Sequence, residues 1–562
     1  MQRCAPLLTA LIFVVAAAGC SAPRDAAYDV LIRGGTMYDG SGDAPFVADL
    51  AISGDTIAAI GDLAGSTATL EVDATGYAVA PGFINMLSWA TEDLLVDGRS
   101  LGDLRQGVTL EVFGEGESMG PINEDMRAAM LAGQGDLRFE VPWTTLGEYM
   151  EYMVARGIAT NVASFIGATT VRIHELGYED RAPTVEELAR MQELVREAMR
   201  EGALGVGSSL IYPPAFYADT EELIALASAA GEFGGGYISH MRSEGNQLLE
   251  AIEELITIAR EAGVRAEIYH LKAAGNDNWG KLDAVIERVE RARAEGLEIT
   301  ADMYNYTAGS TGLDASMPPW VAEGGQAAMI ERLRDPATRA RLAAEMSTPT
   351  DEWENLLLSA GSPERVLLVG FRQDSLKYLT GRTLADVAEM RGTSVEETAM
   401  DLVVQDDSRV GTVYFMMDED NVRRQIALPW VSFGSDGGSK APEEPFTLSN
   451  THPRAYGNVP RLLGRYVREE GIITLEEAIR KLTSLPAANL RLDRRGSLSP
   501  GGFADVVIFD PTTIQDHATF EDPHQLSEGV RDVFVNGVAV LRDGDPTGAM
   551  PGQVVRGPGW TR

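Results

Sequence analysis

Apolar residues along this chain follow two periods. Near the start, YDVLIRGGTMYDGSG, ADLAISGDTIAAIG and TLEVDATGYAVAPGF are short alternating or β-branched runs broken by Gly and Asp-Gly. This is the pattern of half-buried strands joined by tight turns. A matching set, GSLSPGGFADVVIFDP and VRDVFVNGVAVLRDG, stands near the other end. Between them, short apolar runs (FINML, TLEVFGE, NVASFIGA, ALGVGSS, GYISHMR, RAEIYHLK, LEITADMY, VSFGSD) alternate with stretches of helical period such as TEELIALASAAGEF and QLLEAIEELITIAREAG. Strand followed by helix, repeated about eight times, predicts an α/β fold with a TIM-like (β/α)8 barrel. The barrel is expected over residues 81–489, with residues 28–80 and 490–550 pairing into a small composite β-sandwich. Residues from about 317 to 421 are more helical and more charged than one crossover needs, which predicts an insertion before the last strand.

The first twenty residues fit neither period. Arg3 precedes an apolar run from Leu7 to Ala18 that is too short to span a bilayer, and the stretch closes on Ala17-Ala18-Gly19-Cys20. It resembles a bacterial lipobox: residues 1–20 form the leader, Cys20 is the lipidation site, and residues 21–27 are a tether. Such an anchor holds a domain at a membrane without spanning it. The expected location is the bacterial cell envelope, on the periplasm-facing outer membrane if the host is Gram-negative, because Ser21 stands where an inner-membrane retention signal has Asp. An ordinary signal peptide ending near a cysteine is the alternative.

Two further counts narrow the chemistry. Cys4 and Cys20 are the two cysteines, so the mature domain offers no disulfide, no Cys nucleophile and no Cys metal ligand. A net charge of −37, from 84 acidic and 47 basic residues, argues against nucleic-acid partners and leaves membrane association to the lipid anchor alone. An anionic substrate would need a local basic group.

Histidine is the informative residue, because there are six: His174, His240, His270, His452, His517 and His524. His240 ends GYISH and His270 ends RAEIYH, each where an apolar strand turns into a loop. In a barrel, neighbouring strand ends converge at the C-terminal face, where two imidazoles can share a metal ion. For either one alone, a structural rim histidine is the plainer reading. Asp436, in VSFGSDGGS, ends the last apolar run. A carboxylate there can accept a proton from water and return it to a leaving nitrogen, although an Asx turn explains the same motif.

Taken together, HMRSEG, YHLKAAG, MYNYTAGST, FGSDG, HPRAYGNVPRLLGRYVREEG, LTSLPAANL and ATFEDPHQ closely resemble the D-aminoacylases (N-acyl-D-amino-acid deacylases) of the amidohydrolase superfamily. The similarity runs in order from about Tyr28 to Gly537. It implies an amidohydrolase barrel with a small β-domain, a zinc-dependent site and hydrolysis of an amide on a D-amino acid. By that resemblance His240 and His270 are zinc ligands and Asp436 is the catalytic acid/base. Lys272 lies beside the site, and Tyr304 and Arg454 bind substrate. Arg454 also answers the charge problem, since a guanidinium can fork onto a substrate carboxylate.

The pattern breaks in three places. The family carries two histidines in PGFIDxHxH, whereas this chain reads PGFINMLSW, with Leu87 and Trp89 in their places. The family also has a zinc-binding Cys in GNCGxSxAP, whereas this chain reads GEGESMGP. Anchoring that block on its downstream residues puts Glu115 at the Cys position, and anchoring it upstream puts Gly116 there. Glu115 is preferred because a carboxylate binds zinc, with Glu117 in reserve; the alternative makes both glutamates polar rim residues. Ala168 stands where relatives commonly have His, and His174 is expected on a loop nearby, whereas His517 and His524 look structural.

The leading expectation is a hydrolase with one zinc ion held by Glu115, His240 and His270, acting on a small carboxylate-bearing substrate: an N-acyl-D-amino acid or a D-containing dipeptide. The alternatives are an inactive lipid-anchored binding protein on the same scaffold, and an amidohydrolase of a different amide.

Overall fold

A computed structural model describes residues 27–561 of the chain. The leader, Cys20 and the tether up to residue 26 lie outside the described residues. No helix among the described residues is long and apolar enough to cross a membrane.

Eight parallel strands form the expected barrel, and we number them in chain order: β1 (Phe83–Asn85), β2 (Val108–Phe113), β3 (Asn161–Ser164, resuming at Ile166–Gly167), β4 (Gly205–Ser209), β5 (Gly236–His240), β6 (Ala266–Ile268), β7 (Ile299–Met303) and β8 (Val431–Phe433). Each pairs in parallel with the next. The ring closes between β8 and β1: Met86 N–H donates to Phe433 O at 3.2 Å and Asp436 N–H to Leu87 O at 2.8 Å. These strands are short and buried on both faces, which is why they read as continuous apolar runs rather than alternating ones. Ile84, Met86, Leu110, Val112, Ile238 and Tyr269 fill the interior.

The helices follow from local chemistry. Asp219 caps Thr220–Gly231 by accepting from Glu222 N–H. Leu248–Ala262 turns Leu248, Ile252, Leu255, Ile256 and Ala259 toward the barrel. Each buried Leu or Ile among them contributes about 1.5–3 kcal/mol, which outweighs the cost of fixing the helix.

The two ends of the chain share one nine-stranded sheet. Val506–Phe509 lies antiparallel to Ala78–Pro81, joining N-terminal strands such as Tyr28–Met37 to the C-terminal hairpin. That hairpin links Val530–Val535 to Val538–Arg542 through Asn536-Gly537, with φ of +48° and +79°. Asn and Gly are the residues that adopt this left-handed pair, so the turn can match the strand twist.

Between β7 and β8 the chain builds a separate unit. Gly309–Gly312, Val366–Gly370 and Gly411–Tyr414 form an antiparallel three-stranded sheet. It starts ahead of residue 317, where the helical and charged composition begins, because Gly309–Gly312 carries no composition shift of its own.

Candidate metal centre and active site

At the C-terminal ends of β2, β5 and β6 three ligand atoms converge. His240 Nδ1 lies 3.0 Å from Glu115 Oε1 and 3.0 Å from His270 Nε2, and His270 Nε2 lies 2.9 Å from the same Glu115 oxygen. Zinc bound tetrahedrally with bonds of about 2.0–2.1 Å sets its donors about 3.3 Å apart, so the triangle is the size one ion closes. Among the described residues this is the one group of three such side chains close enough to hold a metal. Two imidazoles and a carboxylate are a suitable donor set for zinc. Glu117, the reserve candidate, is solvent-exposed and outside the triangle.

The strand ends are bent to make this convergence. His270 and Asp436 both take left-handed backbone conformations, with φ of +33° and +49°. Such a residue costs about 1–3 kcal/mol and persists only where its surroundings hold it. His270 N–H donates to Asp302 Oδ1 at 3.0 Å, and Asp436 N–H is bound by Leu87 O.

Behind the triangle stands Glu244, which the reading of the sequence did not single out. Its Oε1 accepts from Lys272 Nζ at 2.6 Å and lies 3.0 Å from His270 Nδ1. Its Oε2 lies 3.8 Å from His240 Nε2, a buried atom with no hydrogen-bond partner. One carboxylate therefore faces the outer nitrogens of both imidazoles, the arrangement that keeps Nε2 of His270 and Nδ1 of His240 free to bind metal. The available signal was its place four residues after His240, within HMRSEG.

The electrostatics favour a cation. Burial pushes the Glu115 carboxyl up, but the imidazoles of His270 and His240 outweigh it and hold the group well below the usual carboxylate range. Glu244 is likewise held low against its burial, by Lys272 and both imidazoles. Two ionised carboxylates thus lie buried beside two histidines.

Across the mouth, β8 supplies Asp436. Arg454 Nη2 lies 2.7 Å from Asp436 Oδ2, and its guanidinium sits 4.4 Å over the Tyr304 ring, with Lys272 Nζ 5.4 Å from the same ring. Arg454 is 2 % exposed, yet its Nε and Nη1 have no partner. Burial raises the Asp436 carboxyl above its ordinary value, and Arg454 is the strongest influence pulling it back. His452 anchors this arginine: its Nδ1 accepts from Arg454 N–H at 3.0 Å and its Nε2–H donates to Ala308 O at 3.0 Å. Burial and Arg454 keep that imidazole neutral.

The first-strand positions are filled by other chemistry. Leu87 is fully buried, and Trp89 donates Nε1–H toward Glu115 Oε2 at 2.9 Å and Asp436 Oδ1 at 3.1 Å. His174, expected on a loop, lies instead in the helix Ala168–Leu176, its Nδ1 3.0 Å from Oε1 of the adjacent Glu175. His524 bonds the Tyr456 hydroxyl and Ser449 O, and His517 is at the surface beside Glu528.

With this geometry in place, comparison with known proteins is specific. A model of the amidohydrolase family matches residues 122–541. The D-aminoacylase of Alcaligenes xylosoxydans xylosoxydans is 36% identical over 532 residues, covering 94% of this chain and 97% of that protein. Among solved structures, the N-acyl-D-glutamate deacylase of Bordetella bronchiseptica, complexed with zinc and a phosphonate mimic of the tetrahedral intermediate, superposes with a TM-score of 0.78 at 31% identity, covering 94% of this chain and 99% of the other. A D-aminoacylase described by one-metal activation and second-metal attenuation of its binuclear centre also has a TM-score of 0.78, at 33% identity and 94% and 100% coverage.

Proposed function

The chain belongs to the amidohydrolase family, and on that footing we propose that it deacylates N-acyl-D-amino acids, or cleaves dipeptides with a D-residue, using one zinc ion held by Glu115, His240 and His270. It is a hydrolase of carbon–nitrogen bonds other than peptide bonds. The observation that carries the substrate reading is Arg454: a nearly inaccessible guanidinium with two unpartnered donors beside Asp436. Buried charge-assisted donors are costly to leave unmade, so this arginine is built to receive an anion, and the α-carboxylate of an amino acid fits. The D-configuration rests on the relatives' activities.

Zinc in that triangle would lower the pKa of a bound water toward neutrality and polarise the amide carbonyl. Asp436 accepts the proton of the attacking water and delivers it to the leaving nitrogen. Arg454 and Tyr304 hold the carboxylate, so the scissile amide is oriented before reaction. Glu244, itself held by Lys272, accepts from His270 Nδ1–H and so keeps the ring in its ligating tautomer. The absence of the first-strand histidines favours an inactive binding protein, but the intact network behind His240 and His270 supports catalysis.

The test is a hydrolysis screen of N-acyl-D- and N-acyl-L-amino acids and D-containing dipeptides, with zinc measured on the same sample. We expect turnover confined to D-substrates and about one zinc per chain. Zinc-loaded protein that turns over none of them would sink the proposal.

A further inference from the structure

Trp89 occupies the mouth of the barrel with a side chain that cannot bind metal, and its surroundings assign it a different task. Its backbone is fixed: Trp89 N–H donates to Gly437 O at 2.9 Å, and Ser88 N–H to Val112 O at 2.8 Å. Its indole N–H then lies between two carboxylates, 2.9 Å from Glu115 Oε2 and 3.1 Å from Asp436 Oδ1. The remaining oxygen of each points elsewhere. Glu115 Oε1 faces the two imidazoles, and Asp436 Oδ2 meets Arg454.

An indole has one donor and no acceptor. Placed here, that donor sorts the four carboxylate oxygens. It takes Glu115 Oε2, so Glu115 presents a single oxygen to the triangle. It takes Asp436 Oδ1, so the acid/base carboxylate is held on both sides. A second cation seated between these two carboxylates would need the same two oxygens, and Leu87, wholly buried, adds no ligand.

We propose that Trp89 is a positioning residue whose N–H bridges Glu115 and Asp436, stands in for a second metal ion, and restricts this centre to one. The inference rests on the metal triangle proposed above and adds to it the means by which the chain dispenses with a second ion. Trp89 is 38% exposed, so replacing it does not hollow the core.

The experiment compares wild-type protein, Trp89→Phe, and the double variant Leu87→His with Trp89→His. Bound zinc is measured by dialysis and elemental analysis from equimolar to large excess metal, and tryptophan emission is followed through each titration. Wild type should level off at one zinc per chain. The wild-type minus Trp89→Phe emission difference should change with that first equivalent and with no later one. Trp89→Phe should keep its zinc while kcat falls about tenfold with KM nearly unchanged, the size of effect one hydrogen bond to a charged group carries. The double variant should take up a second equivalent. Absence of zinc from every protein would overturn the triangle and this inference with it. The role of Trp89 alone falls if wild type binds a second equivalent, or if Trp89→Phe matches wild type in both kcat and emission response.

Discussion

The half of the barrel mouth built on β2, β5 and β6 and the half built on β8 and the chain after β1 treat charge in opposite ways. In the first, Glu115, His240, Glu244, His270 and Lys272 are all at most 5% exposed and answer one another through contacts of 2.6–3.0 Å. In the second, one carboxylate and one guanidinium meet, an indole has replaced an expected ligand, and two arginine donors are left over. A closed network of buried charges holds a cation in place. A half with spare donors is suited to a group that arrives and leaves. The difference separates binding the metal from handling substrate and protons, although both halves meet at Trp89.

The sharpest way to break this division is a pair of substitutions. Glu115→Ala should lose the zinc, whereas Asp436→Asn should keep it and lose about 10³-fold in kcat, within the usual span for a general acid/base. If Asp436→Asn also empties of metal, the two halves are not separable. Glu244→Gln should have a smaller effect, weakening zinc affinity about 10–100-fold, as loss of a carboxylate behind a ligating histidine does. Competition with a chromophoric chelator measures it, and an unchanged affinity would remove Glu244 from the metal-holding half.

The smallest effects concern the strands beneath each half. On β6, burial raises the Glu267 carboxyl from 4.5 to about 7, so the folded state binds the extra proton. Its stabilisation is full below pH 4.5 and is lost as pH rises through 7. Under β8, burial lowers Lys481 from 10.5 to about 7, its amine donating to Ile426 O and Leu428 O. Here the unfolded chain binds more protons between those values, so stability rises with pH from about 7 to 10.5. Thermal melts should show Glu267→Gln making the falling limb shallower and Lys481→Met making the rising one shallower. Melts with the same slopes as wild type would discount both groups.

Much of the fold was legible because its causes are local. Eight apolar runs and the helices between them record burial residue by residue, and His240, His270 and Asp436 stood out because they end such runs. His174 was misplaced for an equally local reason. Thr169, Thr170 and Val171 have weak helix propensity, but Thr170 Oγ1 receives Ser118 N–H at 2.8 Å and Val171 is buried, so tertiary contacts override propensity. Comparison of motifs offered Glu115 in place of a missing cysteine, and the triangle with both histidines gave that choice a geometric basis.

What the sequence determined by itself was the order of strands and helices and the residue types available at their ends. Tertiary structure decided which of those residues act on each other. Glu244 meets Lys272 across 28 positions, and Trp89 meets Asp436 across 347. Hydrophobic period is written into neighbouring residues. A hydrogen bond between two charged groups depends on distances of a few ångströms, and those are set only when the barrel closes β8 against β1.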